Sequence, residues 1–406
     1  MVHRCKMWVL CTALLVAAAG VHAVPDAVPS PPRAWSLRLR DVEPAFDVYD
    51  LSFPSPVTTP WPENNTVYCV YHRVRGPGSR PAVVVLHALR VKKASLELAL
   101  CRRLAERGIH ALLVTLPYHM GRRPSGTKSG AMFVTSDLRA TSDAMRQAAV
   151  DVTAAVSWLC RRPEVDPNRI GAAGVSLGAI LTHLVMGLDP RLRVGAAVLG
   201  GGDLGAVMWD GIAVLPVRRA LEQQGYTRQQ VQRELADVDP LTYADRNHPR
   251  RVLMVAAGRD QVIPLRCTLE LNRALGSPPI TWLNTGHFGI GLAPNRVFRL
   301  AADYLAASFH GRTFAAPQRL HMLPVKMGPA FGLDSRMTGC VGFELLGGLE
   351  ETPGRPLLHM DLLLAGTGAY LSVGASIRND LEVGYSARLL SGRTHLRPYA
   401  MISFLL

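Results

Sequence analysis

Two rhythms of apolar residues run along this chain, and they change over near residue 311. Residues 46–53 and 66–74 alternate apolar with polar and predict antiparallel strands, separated by the proline-rich stretch 54–62. From Pro81 the period changes. Ala82-Val83-Val84-Val85-Leu86 is apolar throughout, as in a strand covered on both faces, and the helical stretch 94–107 behind it stops at Gly108. Strands are then expected over 109–116, 169–175, 194–199, 251–256 and 280–283. Helices are expected over about 137–161, after Ser176, and over about 264–275 and 295–309. Strands that alternate with helices predict an α/β fold, a mostly parallel sheet flanked by helices, with its ligand site at the carboxyl ends of the strands. Between Leu199 and Arg251 two further helical stretches, 213–224 and 227–236, break at Gly225 and predict a small helical cap at about 203–249, which either gates the site or is a purely structural excursion.

Beyond Arg312 the period is two. Pro324, Gly328, Pro329 and Gly332 introduce five alternating stretches, in which Leu358, Met360, Leu362 and Leu364 oppose His359 and Asp361, and Leu381, Val383 and Tyr385 oppose Glu382, Gly384 and Ser386. The pattern predicts a C-terminal antiparallel β-meander with one apolar and one polar face. Two expectations compete for it. Strands of this length with such faces suit an outer-membrane barrel, although five strands are too few to close one. The rival is a soluble β-domain whose apolar face packs on the larger domain or on a partner.

The amino terminus reads as a signal peptide. His3, Arg4 and Lys6 precede the apolar residues 7–19, and Val21-His22-Ala23 supplies the small residues of a cleavage site, so an exported protein, periplasmic or secreted, is expected. The resulting division is signal peptide 1–23, proline-rich linker 24–45, catalytic domain 46–310 and β-region 311–406. Of seven cysteines, five lie outside the leader: Cys69, Cys101, Cys160, Cys267 and Cys340. An odd, widely spaced set predicts buried single thiols and no metal spacing. The formal charge of +14 comes from scattered arginines without any nucleic-acid-binding motif, so no nucleic-acid partner is expected. Asn64-Asn65-Thr66 matches a glycosylation acceptor.

Candidate chemistry gathers at Gly174-Val175-Ser176-Leu177-Gly178, between a strand and a helix. Small residues on both sides of Ser176 allow a strained turn that lifts the hydroxyl above the sheet, and the helix behind it directs free N–H groups at a developing oxyanion. A serine nucleophile needs a base, and the base a carboxylate. Asp260 follows the strand 251–256, and His287 stands in the loop before the last helix of the domain. Leu177 is one expected oxyanion donor; the second is Ala88 or Leu89, in the loop after the strand 82–86. His183 and His119 are weaker competitors for the base. His87, with Arg122 and Arg123, is a candidate for substrate binding. Gly200-Gly201-Gly202-Asp203 lacks a P-loop lysine and reads as close packing.

Taken together, the strand leading to His87, Asp166-Pro167-Asn168-Arg169-Ile170 running into the serine turn, Gly258-Arg259-Asp260-Gln261-Val262-Ile263-Pro264 and Gly286-His287 resemble the α/β-hydrolase superfamily. The likeness is greatest to its esterase branch of dienelactone-hydrolase-like and acyl-peptidase-like enzymes, and covers residues 47–309. By position it implies Ser176 as nucleophile, His287 as base and acid, and Asp260 as the orienting acid. Where that branch usually carries glycine after the loop histidine, this chain has Ala88. The expected function is an exported serine hydrolase that cleaves small-molecule carboxylic esters through an acyl-enzyme, with no metal or organic cofactor. A serine peptidase and a catalytically silent binding protein are the alternatives.

Overall fold

The computed structural model describes residues 30–247, 250–322, 325–333, 337–347, 357–378, 381–389 and 396–405. The expected leader, residues 1–23, lies outside them.

The larger sheet has ten strands: β1 (Ser36–Val42), β2 (Phe46–Pro54), β3 (Thr66–Val74), β4 (Arg80–Leu86), β5 (His110–Val114), β6 (Val165–Val175), β7 (Leu192–Val198), β8 (Arg251–Ala257), β9 (Ile280–Leu283) and β10 (Arg319–Leu320). Their order is β1-β2-β3-β5-β4-β6-β7-β8-β9-β10. The pairs from β1 to β5 are antiparallel, and every pair from β5 to β10 is parallel. Strand β1 falls inside the segment expected to be linker. Its residues Leu37 and Leu39 alternate with arginines, and it pairs only with β2, which makes it an exposed edge strand.

Helices α1 (Ser95–Ala105), α2 (Leu138–Leu159) and α3 (Leu177–Leu188) are followed by α4 (Leu204–Asp210), α5 (Leu215–Gln223), α6 (Arg228–Glu234), α7 (Leu265–Ala274) and α8 (Pro294–Phe309). Both faces of the sheet are covered. Leu86, Leu112 and Val84 meet α2 and α3 on one side; Val83, Val85 and Val198 meet α1 and α8 on the other. Because β4 is buried on both faces, its all-apolar sequence follows directly. Helix α2 starts at Asp137, whose side chain accepts from Ala140 N at 2.9 Å. The expected cap is present as α4 to α6 and short 3-10 turns, with the break at Gly225, whose φ of +81° suits glycine. In the 200–202 loop glycine permits contact: a Cβ on Gly202 would lie 2.5 Å from Leu241.

The smaller domain is a closed barrel. Strands β11 (Val325–Phe331), β12 (Thr338–Gly347), β13 (Leu357–Ala365), β14 (Gly368–Arg378), β15 (Leu381–Arg388) and β16 (Leu396–Ile402) pair in sequence, and β11 pairs with both β12 and β16, so six strands form a ring. A short β17 (Phe404–Leu405) also pairs with β11. Five of the six follow the expected meander. The sixth, β11, was hidden by Gly328 and Pro329, which look like turn residues. Gly328 serves a close crossing instead: a Cβ there would fall 1.8 Å from Ile402 O.

The barrel interior is mixed. Lys326 and Asp361 are fully buried there with His359, Glu382, Ser372 and Ser386, beside an apolar cluster that includes Leu333, Leu363, Tyr370 and Met401. The apolar face turns out, leaving Leu358 and Leu396 about three-quarters exposed (75% and 74%) and Val373, Ile377 and Tyr385 exposed as well. The expectation that the apolar face packs on the larger domain therefore fails for these residues. Inside, Lys326 Nζ donates to Asp361 Oδ2 at 2.6 Å and Glu382 Oε2 at 2.7 Å, and His359 Nδ1 meets Asp361 Oδ2 at 2.7 Å. Lys326 already engages the carboxylates of the His359, Asp361 and Glu382 cluster, which reads as a buried ion-pair network. Among the described residues no helix is long and apolar enough to cross a membrane.

Candidate active site

The turn at Ser176 joins β6 to α3, and its geometry follows from two glycines. A Cβ on Gly174 would lie 2.2 Å from Gly178 O, and one on Gly178 would lie 2.1 Å from Leu86 O. Only with both positions bare can the chain fold back so sharply. Ser176 itself takes φ 54° and ψ −115°, a strained left-handed conformation that the surrounding sheet and helix enforce.

Three carboxyl-end loops converge above it. His287 Nε2 lies 2.8 Å from Ser176 Oγ, and His287 Nδ1 lies 2.7 Å from Asp260 Oδ2. The carboxylate is fixed from behind, since Val262 N and Ile263 N donate to Asp260 Oδ1 at 2.9 and 2.8 Å. Asp260 and His287 are both buried. The Nδ1–H of the imidazole is thereby committed to Asp260, which leaves the Nε2 lone pair for the serine hydroxyl. The structure thus brings together the serine, aspartate and histidine singled out in the sequence.

The other expected site residues fare differently. Ala88 N donates to Glu97 Oε1 at 3.0 Å, so it does not point at an oxyanion. Burial raises the Glu97 carboxyl above its ordinary range, and the Ala88 bond opposes that rise. Leu89 and Leu177 remain as candidate donors; Leu177 is the first residue of α3, whose N–H has no partner within the helix. Glu97 looks in the sequence like an ordinary acidic residue of a first helical turn, and nothing there marks its hold on the loop. His87 is fully buried; its Nε2 accepts from Leu116 N at 3.0 Å, and burial lowers its pKa to about 3. It braces the loop and does not face the cavity.

Arg122 is fully buried as well, paired with Asp151 at 2.7 Å and donating to Asn64 O and Thr115 O. It staples the 3-10 turn 62–65 before β3 and the residue after β5 to α2. Arg123 folds back on Met120 O at 2.7 Å. Neither arginine lines the cavity, so the expectation of substrate binding fails for His87, Arg122 and Arg123 alike. His183, buried in α3, and His119, bonded to Arg90 N at 3.1 Å, are likewise remote from the serine hydroxyl. Asn64 is buried with its Nδ2 on Gln147 Oε1 at 2.8 Å, which leaves no room for a glycan. The five described cysteines are free thiols.

Ser176 and His287 open into a cavity of about 490 Å³ between the sheet edge and the cap. Its walls are apolar: Leu89 and Leu96 from the oxyanion side, Met145 from α2, Ile180 from α3, Val207 from α4 and Leu235 from the end of the cap. Arg90 and Thr141 are the polar lining residues beyond the serine and histidine. Phe288, half exposed at 55%, stands at the mouth.

Residues 139–284 match the sequence model of the prolyl oligopeptidase family. Among solved structures the chain resembles an acetyl xylan esterase from Paenibacillus sp. R4, with 22% identity and a TM-score of 0.55 over 67% of this chain and 89% of that one. The larger domain has the α/β-hydrolase fold. The acetyl xylan esterase 1 of Thermoanaerobacterium sp. JW/SL YS485 shares the hydrolase fold at 18% identity and a TM-score of 0.50, over 67% of this chain and 88% of that one. No match was found among curated protein sequences. The hydrolase fold explains why the three candidate residues arrive from the ends of β6, β8 and β9: in a parallel sheet these ends lie together on one edge.

Proposed function

We propose that the protein is a serine ester hydrolase acting on carboxylic esters with an apolar acyl group. The observation that carries this reading is the hydrogen-bonded chain Asp260–His287–Ser176 at the floor of an apolar cavity. In this reading Ser176 Oγ attacks the ester carbonyl while His287 Nε2 takes its proton. The carbonyl oxygen becomes an oxyanion held by Leu177 N and Leu89 N. His287 then returns the proton to the departing alkoxide, the acyl group stays on Ser176, and a water deprotonated by the same nitrogen releases the acid. Asp260 keeps the imidazole in the required tautomer. The cavity wall offers hydrocarbon to the acyl chain and only Arg90 as a charged group, which favours an ester over a peptide with its charged ends and polar backbone.

A fluorophosphonate probe tests the reading: wild type is labelled and Ser176→Ala is not. On p-nitrophenyl esters of graded chain length, octanoate is expected to exceed acetate in kcat/KM. A folded wild type that takes no label ends the proposal.

We also propose that the chain is exported, on its leader-like first 23 residues, and that the barrel meets lipid. The exposed apolar wall supports this, being favoured by lipid and disfavoured by water; six strands are fewer than the eight of the smallest single-chain spanning barrels, so anchoring in lipid and not a pore is proposed. Membrane fractions washed with carbonate retain the full-length protein if this holds. A full-length protein found wholly in the soluble fraction overturns it.

A further inference from the structure

The hydrolase domain lends a cation to the barrel. Arg259, the residue before Asp260, grips Glu344 of β12 with both ends of its guanidinium: Nη2 donates to Oε1 at 2.7 Å and Nη1 to Oε2. Both side chains are buried, at 8% and 5% exposure. In the β12–β13 register Glu344 stands opposite Asp361, so the two carboxylates leave the same face of the barrel wall, the one turned inward. The lumen side therefore carries Glu344, Asp361 and Glu382 against Lys326 from within and Arg259 from the neighbouring domain. A buried carboxylate stripped of its cation is strongly disfavoured, so the places of Arg259 and Glu344 determine one another.

Arg259 also joins the two loops that carry Asp260 and His287. Its backbone N–H donates to Thr285 O at 3.2 Å, which ties the turn carrying Asp260 to the turn carrying His287. The preceding Gly258 N donates to Leu283 O at 2.8 Å in the same ladder. Strand β17 of the barrel lies beside the turn that begins at His287. Both loops that complete the triad thus abut the barrel. Only one of these contacts is a bidentate, desolvated charge pair, the kind of interaction that fixes direction as well as distance.

We propose that Glu344 is a positioning residue for the triad: acting through Arg259, it sets the turn that presents Asp260 to His287, so turnover in the hydrolase domain depends on the barrel. A displacement of about 1 Å at such a site costs on the order of a hundredfold in rate. The inference rests on the ester-hydrolase reading, and the two are separable. Wild type is first labelled with the fluorophosphonate; if it takes no label, that reading fails and this one with it.

With labelling established, Glu344→Gln, Arg259→Met and the double variant are compared on one p-nitrophenyl ester in the full-length protein. The expected result is a fall in kcat of tenfold or more in Glu344→Gln with KM within twofold, because the substrate cavity does not touch Glu344. Arg259→Met falls likewise, and the double variant loses no more than the worse single, since both act through one link. Glu344→Asp, which keeps the charge, recovers part of the loss. A folded Glu344→Gln with kcat within twofold of wild type overturns the proposal. So does a loss that only tracks the fraction of unfolded protein seen by circular dichroism in Glu344→Gln and Glu344→Asp together: the pair would then hold the domains and not the triad.

Discussion

Ala88 donates its backbone N–H to the buried carboxylate of Glu97, 3.0 Å away, on the first turn of α1. The Ala88 N–H is thereby turned to Glu97, which leaves that of Leu89 as the candidate second donor of the loop between β4 and α1. Glu97→Ala leaves a buried N–H without an acceptor, at a cost of about 1–3 kcal/mol. It also frees the loop that, in the proposed reading, supplies the second oxyanion donor. The expected outcome is a fall in kcat of ten- to a hundredfold with little change in KM, while Glu97→Gln, which still offers an oxygen to Ala88, retains most activity. Steady-state kinetics on one ester checks both.

In the proposed ester-hydrolase reading, the cap limits the length of acyl chain accepted. Val207 of α4 faces the cavity, and a tryptophan there fills part of its roughly 490 Å³. For Val207→Trp the ratio of kcat/KM on octanoate to that on acetate is expected to fall at least tenfold, with acetate nearly unchanged. An ester panel measures it.

Arg122 supports the fold and not selectivity. Removing one partner of its fully buried pair with Asp151 is expected to destabilise by about 3–5 kcal/mol. Arg122→Met should therefore melt well below wild type by calorimetry. What remains folded should discriminate neutral from anionic esters as wild type does, since the guanidinium lies away from the cavity.

Acid should weaken the hydrolase domain through its buried histidines. Burial lowers His183 and His119 to about 4, and His87 to about 3, from an ordinary 6.5. Between pH 6.5 and those values the unfolded chain binds more protons than the folded one, so this stability is complete above 6.5 and is lost as pH falls toward 4. Glu97 and Asp151, raised by burial, act in the opposite sense. Comparing His183→Leu with wild type isolates one term, because desolvation alone shifts His183. The difference in stability between pH 7 and pH 4 should shrink in the variant by on the order of 2–3 kcal/mol, read from denaturant melts at each pH.

Much of the hydrolase half is legible in sequence, because its signals are local. The apolar run 82–86 and the amphipathic stretch 137–161 reappear as β4 and α2 within a residue or two, and Ser176, Asp260 and His287 each stand where a strand meets a loop. What the sequence hides is pairing at a distance. Arg122 reads as a solvated loop charge until Asp151, far along the next helix, is folded against it. Period-two alternation shows that the barrel strands have two unlike faces, yet contains nothing about which one is inside. Closure depended on β11, whose Gly328 and Pro329 resemble a turn in every short window.

The ring of the barrel is joined where β11 meets β16, the first of its six strands against the last. Hairpin pairs such as β13–β14 form from neighbours and can zip rapidly, whereas this seam must wait for a search across the whole domain. Until it shuts, Lys326 and its two carboxylates stay hydrated and the lumen does not exist. With Glu344 acting on the triad as proposed, full turnover would await the closing of that seam, so the last pairing of the smaller domain would also complete the larger one.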